Sequence, residues 1–283
     1  MQGQLTFMGT GTSMGVPTLG CRCAVCTSVD PHDRRLRPSI LIRWKEAGAV
    51  GDPSDRERVV VIDSGPDFRE QALRSGLTRM DAVLYTHHHA DHILGLDDLR
   101  PLSFTVFRES GLPIPLYAAP ETVDVLKRIY DYTFKPDATY PNRAKVELLP
   151  LAARNAVHGV DFLRVALKHG DIDIDGFRFG KTAYLTDVSD IPEESFALLH
   201  GLDHLIISAL RHKPHYSHTT VKQALLWAER IGARQTWFTH IAHDLPHEET
   251  NAALPANVRL AYDGLTLPIN LSSANPSQTV ESL

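Results

Sequence analysis

Cysteine is scarce in this chain and stands in one place: Cys21, Cys23 and Cys26 are all there is among 283 residues. An odd number at such tight spacing is a poor disulfide framework and a good metal knuckle, one ligand short of a closed tetrahedral zinc site. A basic surplus is missing too. With 29 Lys and Arg against 34 Asp and Glu, the net charge is −5. That excludes a broad cationic face for non-specific nucleic-acid binding. It leaves an acidic substrate open, because two bound divalent cations would reverse the local field. No apolar run is long enough to span a bilayer, and Met1-Gln2-Gly3-Gln4 lacks the basic and apolar regions of an export signal. A cytoplasmic protein without a membrane partner is expected. No internal repeat or long low-complexity tract is visible, and 43% hydrophobic with 22% charged residues is the composition of a globular chain. The length fits a single domain, 1–283.

Histidine, by contrast, is plentiful, with 15 in all, and the run Thr86-His87-His88-His89-Ala90-Asp91-His92 concentrates it. Read as His-x-His-x-Asp-His, the run offers His87 and His89 to one metal ion and Asp91 and His92 to a second. His88 alternates out of that set and is assigned to packing or support. The apolar, β-prone segment Asp81–Thr86 before it predicts a buried strand delivering the cluster to a sheet edge. Ile93–Leu99 after it has helix-like apolar spacing. Nitrogen and oxygen ligands together suit zinc, manganese or iron in a hydrolytic site.

Elsewhere, strands are expected at Leu5–Met8, Ser39–Trp44, Val59–Ile62, Pro115–Ala118, Lys145–Leu149 and Phe162–Leu167. Ala183–Thr186, His204–Ser208 and Thr236–Thr239 read the same way. Gly9-Thr10-Gly11-Thr12-Ser13 reads as a turn, Gly51–Arg58 as a loop, and the polar tail from Ser272 as loose. A short helix is expected from Asp67 to Ser75, capped by Asp67 or the preceding turn. Ile172–Phe179 alternates around Asp175-Gly176, a hairpin signal. Thr219–Ile231 is the clearest amphipathic helix, with Val221, Leu225, Ala228 and Ile231 on one face. Hairpins mixed with strand–helix alternation predict an α/β protein with a mixed sheet. Three more strand ends carry ligand-type residues: His169, Asp187 and His240. With the first cluster they make seven ligands at the ends of four strands, placed to share one sheet edge.

Over nearly its whole length the chain resembles the metallo-β-lactamase superfamily of binuclear hydrolases, and within it the PhnP-type phosphodiesterases. The resemblance is carried by Gly9–Ser13, the Cys21-Arg22-Cys23-Ala24-Val25-Cys26 knuckle, His87–His92, Leu185-Thr186-Asp187 and Thr239-His240-Ile241-Ala242-His243. It implies a four-layer αβ/βα sandwich, two mixed sheets packed face to face with metals at one edge. His87, His89 and His169 would hold a first metal, Asp91, His92 and His240 a second, and Asp187 would bridge them. His243 would complete the three-cysteine zinc site and so brace the active site. In Pro214–Thr220, His218 matches the histidine that contacts the reacting phosphate, although His215 and His212 stand close by. Asp91 joins His218 among the side chains at the reaction. His32, His158, His200, His204 and His247 have no spacing argument and stay unassigned.

The expected protein is therefore a metal-dependent phosphodiesterase with two catalytic divalent ions (zinc or manganese, with iron also compatible) and one structural zinc. Two ions sharing a water lower its pKa toward neutrality. The expected partners are small nucleotide-like or cyclic sugar phosphodiesters, without stable nucleic-acid binding, and a homodimer is implied by the resemblance. A transfer-RNA 3′-end endonuclease uses the same seven ligands but carries a protruding glycine- and proline-rich arm, and no such insertion is visible here. Asp187 at the bridging position disfavours β-lactam hydrolysis. A non-catalytic zinc or cofactor-binding scaffold would have no need of seven ligands. With no arginine or lysine singled out to receive added charge, phosphomonoesters are expected to be poor substrates.

Overall fold

Runs rich in Val, Ile, Leu and aromatic residues form strands, and their alternation decides which face each side chain meets. The computed structural model describes residues 1–46, 57–136 and 140–272. In chain order, the strands are β1 (Gln2–Gly9), β2 (Ser39–Lys45), β3 (Glu57–Ile62), β4 (Ala82–Leu84), β5 (Ile114–Ala118), β6 (Val146–Pro150) and β7 (Arg154–Val157). There follow β8 (Val160–His169), β9 (Ile172–Phe179), β10 (Thr182–Leu185), β11 (His204–Ser208), β12 (Gln235–Thr239), β13 (Val258–Leu260) and β14 (Thr266–Asn270). They build two seven-stranded mixed sheets, ordered β14-β1-β2-β3-β4-β5-β6 and β13-β12-β11-β10-β9-β8-β7.

Three apolar cores separate four layers. Phe7, Ile40, Val60 and Leu84 of the first sheet meet Phe162, Phe177, Tyr184 and Ile206 of the second. Outside the first sheet, Leu41, Val61 and Leu116 pack with Phe68, Leu99 and Leu126 on its helical cover. Outside the second, Leu185, Leu205 and Ile207 pack against the helix Val221–Ile231. Each such side chain buried contributes roughly 1.5–3 kcal/mol. The α/β sandwich of two face-to-face mixed sheets is the architecture expected.

Local differences have physical reasons. Asp175-Gly176 is no hairpin: β9 runs straight through it, and the reversal lies at Gly170-Asp171. A Cβ at Gly176 would stand 2.7 Å from Leu185 and 2.9 Å from Leu167, so glycine is there for close packing. Asp67 makes no side-chain cap to the helix Phe68–Arg74, because its carboxylate is taken by Arg37 at 2.9 Å and by the Arg37 amide at 2.8 Å. Ile93–Leu99 is divided between a single turn, Ala90–Ile93, and a 3-10 turn, Leu96–Leu99. Between them, a Cβ at Gly95 would meet the Gly65 carbonyl at 2.1 Å, so two backbones touch where the helix breaks. The helix expected from Thr219 starts at Val221, capped by Thr220 Oγ1, which accepts from the Gln223 amide at 3.2 Å. Ala224 and Trp227 join its buried face, whereas Leu225 is half-buried. Of the expected loop, 51–56 lie outside the described residues and Glu57 and Arg58 begin β3; the tail beyond Ser272 also lies outside them.

Candidate metal centre

The seven ligand-type residues do not share the edge of one sheet. His87, His89, Asp91 and His92 follow β4 of the first sheet, whereas His169, Asp187 and His240 stand at the ends of β8, β10 and β12 of the second. The two edges face one another, and the Asp175 amide of β9 donates to the Thr86 carbonyl across the gap at 3.0 Å. Backbone strain turns the strand ends inward. Asp187 has φ 56° and His240 φ 54°, in the left-handed region that non-glycine residues seldom adopt. Such conformations cost about 1–3 kcal/mol each and gather at functional sites.

The ligand atoms of His87, His89 and His169 lie within 4.8 Å of one another, and so do those of Asp91, His92, Asp187 and His240. Support fixes which nitrogen each ring presents. His92 Nδ1 donates to Asp63 at 2.7 Å, which turns Nε2 toward Asp91 (3.2 Å) and Asp187 (3.1 Å). His169 Nδ1 donates to the Ser217 carbonyl at 2.6 Å. The Thr86 hydroxyl donates to Asp63 at 2.8 Å and accepts from His87 Nδ1 at 3.0 Å, leaving His87 Nε2 buried without a partner. His240 Nε2 is 3.0 Å from Asp187 and 3.6 Å from Asp91, yet makes no hydrogen bond of acceptable geometry, and neither does His92 Nε2. Buried donor atoms that converge without bonding one another fit metal ions lodged among them.

Charge in the cluster is sharply divided. Burial pushes the Asp187 carboxyl up, but the imidazoles of His240 and His92 together outweigh it and hold the group well below the carboxylate range. Burial also opposes charge on His240, and Asp187 overcomes it, raising that histidine to about 9. His87, dominated by burial and then by His92, is pushed well down and stays neutral, the ligating form.

Asp63 was not picked out from the sequence. It is fully buried, follows β3 with φ 64°, and holds both Thr86 and His92. Its signal is the apolar run Val59–Ile62 ending in Asp63-Ser64-Gly65, much like the run before Asp187. A Cβ at Gly65 would lie 1.9 Å from the Asp91 carbonyl, so that position lets the cluster segment sit against β3. His88 is half-buried, against His89, and belongs to neither ligand group.

A second cluster joins Cys21, Cys23 and Cys26 to His243. The three sulfurs stand 3.2, 3.5 and 3.3 Å from His243 Nδ1. A tetrahedral Cys3His zinc site would set sulfur and nitrogen ~3.6 Å apart. The Cys26 amide donates to Cys23 Sγ at 3.4 Å, the leading cause that lowers the Cys23 thiol to about 7. Burial raises Cys26 to about 11. Buried Arg35 braces the loop after β12: paired with Asp33 at 3.1 Å, it donates to the Ala242 (3.4 Å) and Leu245 (2.9 Å) carbonyls. A further group, His32, His247 and Glu248, lies beyond this brace, its two imidazole rings 4.7 Å apart, tilted by 45° and close to Tyr262.

A cavity of about 310 Å³ opens over the main cluster, lined by His89, Asp91, His169 and Asp187 as well as by the segment carrying His215 and His218. His218 is the deeper of those two, its ring 4.5 Å from His169 and 4.8 Å from His240, with Nδ1 3.7 Å from Asp187. His215 packs behind it at 5.0 Å. His212 is absent from the lining, but Arg211 is part of it. In the sequence no arginine or lysine stands out for the site, and Arg211 is one that the fold brings to the cavity wall.

With this geometry in hand, comparison with known proteins decides the family. The profile of the beta-lactamase superfamily domain matches residues 58–241, from β3 to the residue after His240. The chain belongs to the beta-lactamase superfamily. This superfamily member is similar to a solved structure described as a new diphosphatase from the PhnP family, with 50% identity, 96% of this chain and 98% of that one covered, and a TM-score of 0.86. It is also similar to the octanoyltransferase of Porphyromonas gingivalis, 37% identical over 263 residues, 92% of this chain and 50% of the relative. A ribonuclease Z of Bradyrhizobium sp. is 31% identical over 156 residues, 54% of this chain and 46% of the relative. The chain thus spans about half the length of these curated relatives. No helix among the described residues is long and apolar enough to cross a membrane.

Proposed function

We propose that this chain is a single-domain, dinuclear metal-dependent phosphodiesterase that hydrolyses small or cyclic phosphodiesters of nucleotide or sugar type. The observation that carries the reading is the pair of adjoining ligand groups on the floor of one cavity, with Asp187 reaching toward both: its ligand atom lies within 4.8 Å of those of His92 and His240 and, in another grouping, of His169 and His218. The 50% identity to a PhnP-family diphosphatase supports phosphorus as the reacting centre.

Zinc or manganese, with iron also compatible with the donors, would supply Lewis acidity at the phosphoryl oxygens and acidify a water. His87, His89 and His169 would hold one ion, Asp91, His92 and His240 the other, with Asp187 shared. A third, structural zinc would sit between the knuckle and His243. His218 acts on the substrate itself. Burial, then the charge on His240, pushes it down to about 2, so it is neutral at physiological pH. A neutral imidazole offers one N–H, which suits a hydrogen bond to a phosphoryl oxygen better than protonation of a leaving alkoxide. Cysteines confined to a knuckle agree with a reducing compartment, the cytoplasm.

The ribonuclease Z relative supports a second reading, endonucleolytic cleavage of transfer-RNA precursors. Both are tested by assaying purified, metal-quantified protein on bis(p-nitrophenyl) phosphate, 2′,3′-cyclic nucleotides, a precursor transfer RNA, a β-lactam and a thioester. The phosphodiesters should be cleaved, with activity lost on chelation and restored by manganese or zinc. Cleavage of one of the last three with phosphodiesters inert would overturn the proposal, and no turnover at full metal loading would leave a metal-binding scaffold.

A further inference from the structure

Among the cavity-lining residues outside the ligand clusters, two stand out by chemistry. Arg211 and Tyr216 both belong to the segment that ends at His218. Its two feet are tied together: the Leu210 amide donates to the Thr219 carbonyl and the Val221 amide to the Arg211 carbonyl, each at 3.1 Å. Arg211 is thereby anchored at one foot of a loop whose other foot carries His218. Its guanidinium is held by backbone alone, Nε donating to the Lys213 carbonyl and Nη2 to the Pro214 carbonyl, both at 3.2 Å. Among the described residues no carboxylate pairs with it and Nη1 makes no hydrogen bond. An oriented guanidinium without a counter-charge, in a cavity, is a receptor for an anion.

Tyr216 is the second observation. It is 85% exposed although it lines the cavity, and its ring leans on that of His215, the centroids 4.9 Å apart and the planes tilted by 31°. Gly170 lies beside it: a Cβ there would stand 3.6 Å from the Tyr216 ring edge, an ordinary contact distance. The outer face of that ring is unused, which suits a planar ligand ring.

We infer that the loop 211–218 forms a subsite for a nucleoside diphosphate ester, with Arg211 receiving the phosphate that is not attacked and Tyr216 stacking on the base. The inference rests on the phosphodiesterase reading for its chemistry. A diester with one phosphate would have its single charge met by the ions that the two ligand groups would hold, so Arg211 would gain a partner only from a second anionic group. In the reaction, the oxygen of water bonds to one phosphorus, and the bond from that phosphorus to the bridging oxygen breaks. The electron pair leaves on the second phosphate, the protons of the water pass to product oxygens or solvent, and two phosphomonoesters result.

The test uses the zinc-loaded protein and the variants Arg211→Gln and Tyr216→Ala, with metal content and Tm checked against wild type. Calorimetric binding of the uncleavable α,β-methylene adenosine diphosphate should weaken roughly tenfold or more in each variant. Binding of inorganic phosphate should stay within about threefold of wild type in both variants if their contacts are confined to the second phosphate and the base. In turnover, Arg211→Gln should lower kcat/KM for adenosine diphosphate ribose at least about tenfold, mainly through KM, and leave bis(p-nitrophenyl) phosphate nearly unchanged. Wild-type protein that fails to bind the analogue, Arg211→Gln protein that binds it equally well, or equal losses on both substrates would overturn the subsite. Arg211-dependent binding with no turnover of any phosphodiester would uphold the subsite and sink the hydrolase reading instead.

Discussion

In both sheets three antiparallel pairings give way to three parallel ones: β14-β1-β2-β3 continues into β4-β5-β6, and β7-β8-β9-β10 into β11-β12-β13. β3 and β10 therefore hold equivalent places, each at the switch from one pairing to the other. Each is followed by a buried aspartate in the left-handed region, Asp63 at φ 64° and Asp187 at φ 56°. Their surroundings part company. Asp63 spends its oxygens on the Thr86 amide, the Thr86 hydroxyl and His92, and burial dominates, so its carboxyl is raised. Asp187 faces the imidazoles of His92 and His240 and is lowered despite the same burial. One backbone device thus yields a supporting carboxylate in the first sheet and a cluster-facing one in the second, with His92 between them.

The largest effect is expected where that asymmetry is removed. Asp187→Ala should lose catalytic metal and reduce turnover about 10³-fold or more, because in the proposed centre both ions would lose a shared carboxylate. Retained metal and activity would make Asp187 a mere structural twin of Asp63. Cutting the tie between the sheets comes next: Cys23→Ser, in the loop after β1, should release about one zinc per chain and lower Tm by roughly 5–10 °C. Unchanged zinc by elemental analysis would reject the knuckle. Asp63→Asn should keep the fold but weaken metal binding about 10–100-fold, since the amide disturbs the His92 tautomer that turns Nε2 inward; an effect as large as that of Asp187→Ala would erase the distinction.

The smallest effect is a pH dependence of the metal-free protein. Without an ion, His240 is raised from 6.5 to about 9 by its carboxylates, so its contribution to stability is complete below pH 6.5 and is lost as pH climbs through about 9. Tm of chelated protein should fall across that window, while stabilisation by added metal should grow, because binding displaces the same proton. A flat profile would mean that the strand ends assemble only around metal.

Much of this was readable from residue order. Apolar runs marked β3, β4, β10, β11 and β12, because strands buried on both faces carry continuous Val, Ile and Leu, and ligand types after β4, β8, β10 and β12 marked the site. Asp175-Gly176 misled because one dipeptide serves two purposes, a tight turn or close approach between strands, and only the neighbours Leu167 and Leu185 decide between them. Asp63 escaped because the run it ends does not by itself tell a ligand from a support, and the histidine it holds is 29 positions away. Arg211 escaped for a related reason: an arginine reads as a solvated surface residue until the loop that carries it is folded over a cavity.

The sequence by itself determined most of the central strands, the ligand types and their placement at strand ends, since those depend on periodicity and side-chain chemistry within a few residues. The tertiary structure alone decided that the ligand-type residues come from two facing sheets, that Asp63 and Asp187 divide support from the cluster, and that a guanidinium with no carboxylate partner among the described residues shares the cavity. These depend on contacts between distant segments, set by how the buried faces of the sheets pack and by which polar groups that packing leaves to find one another.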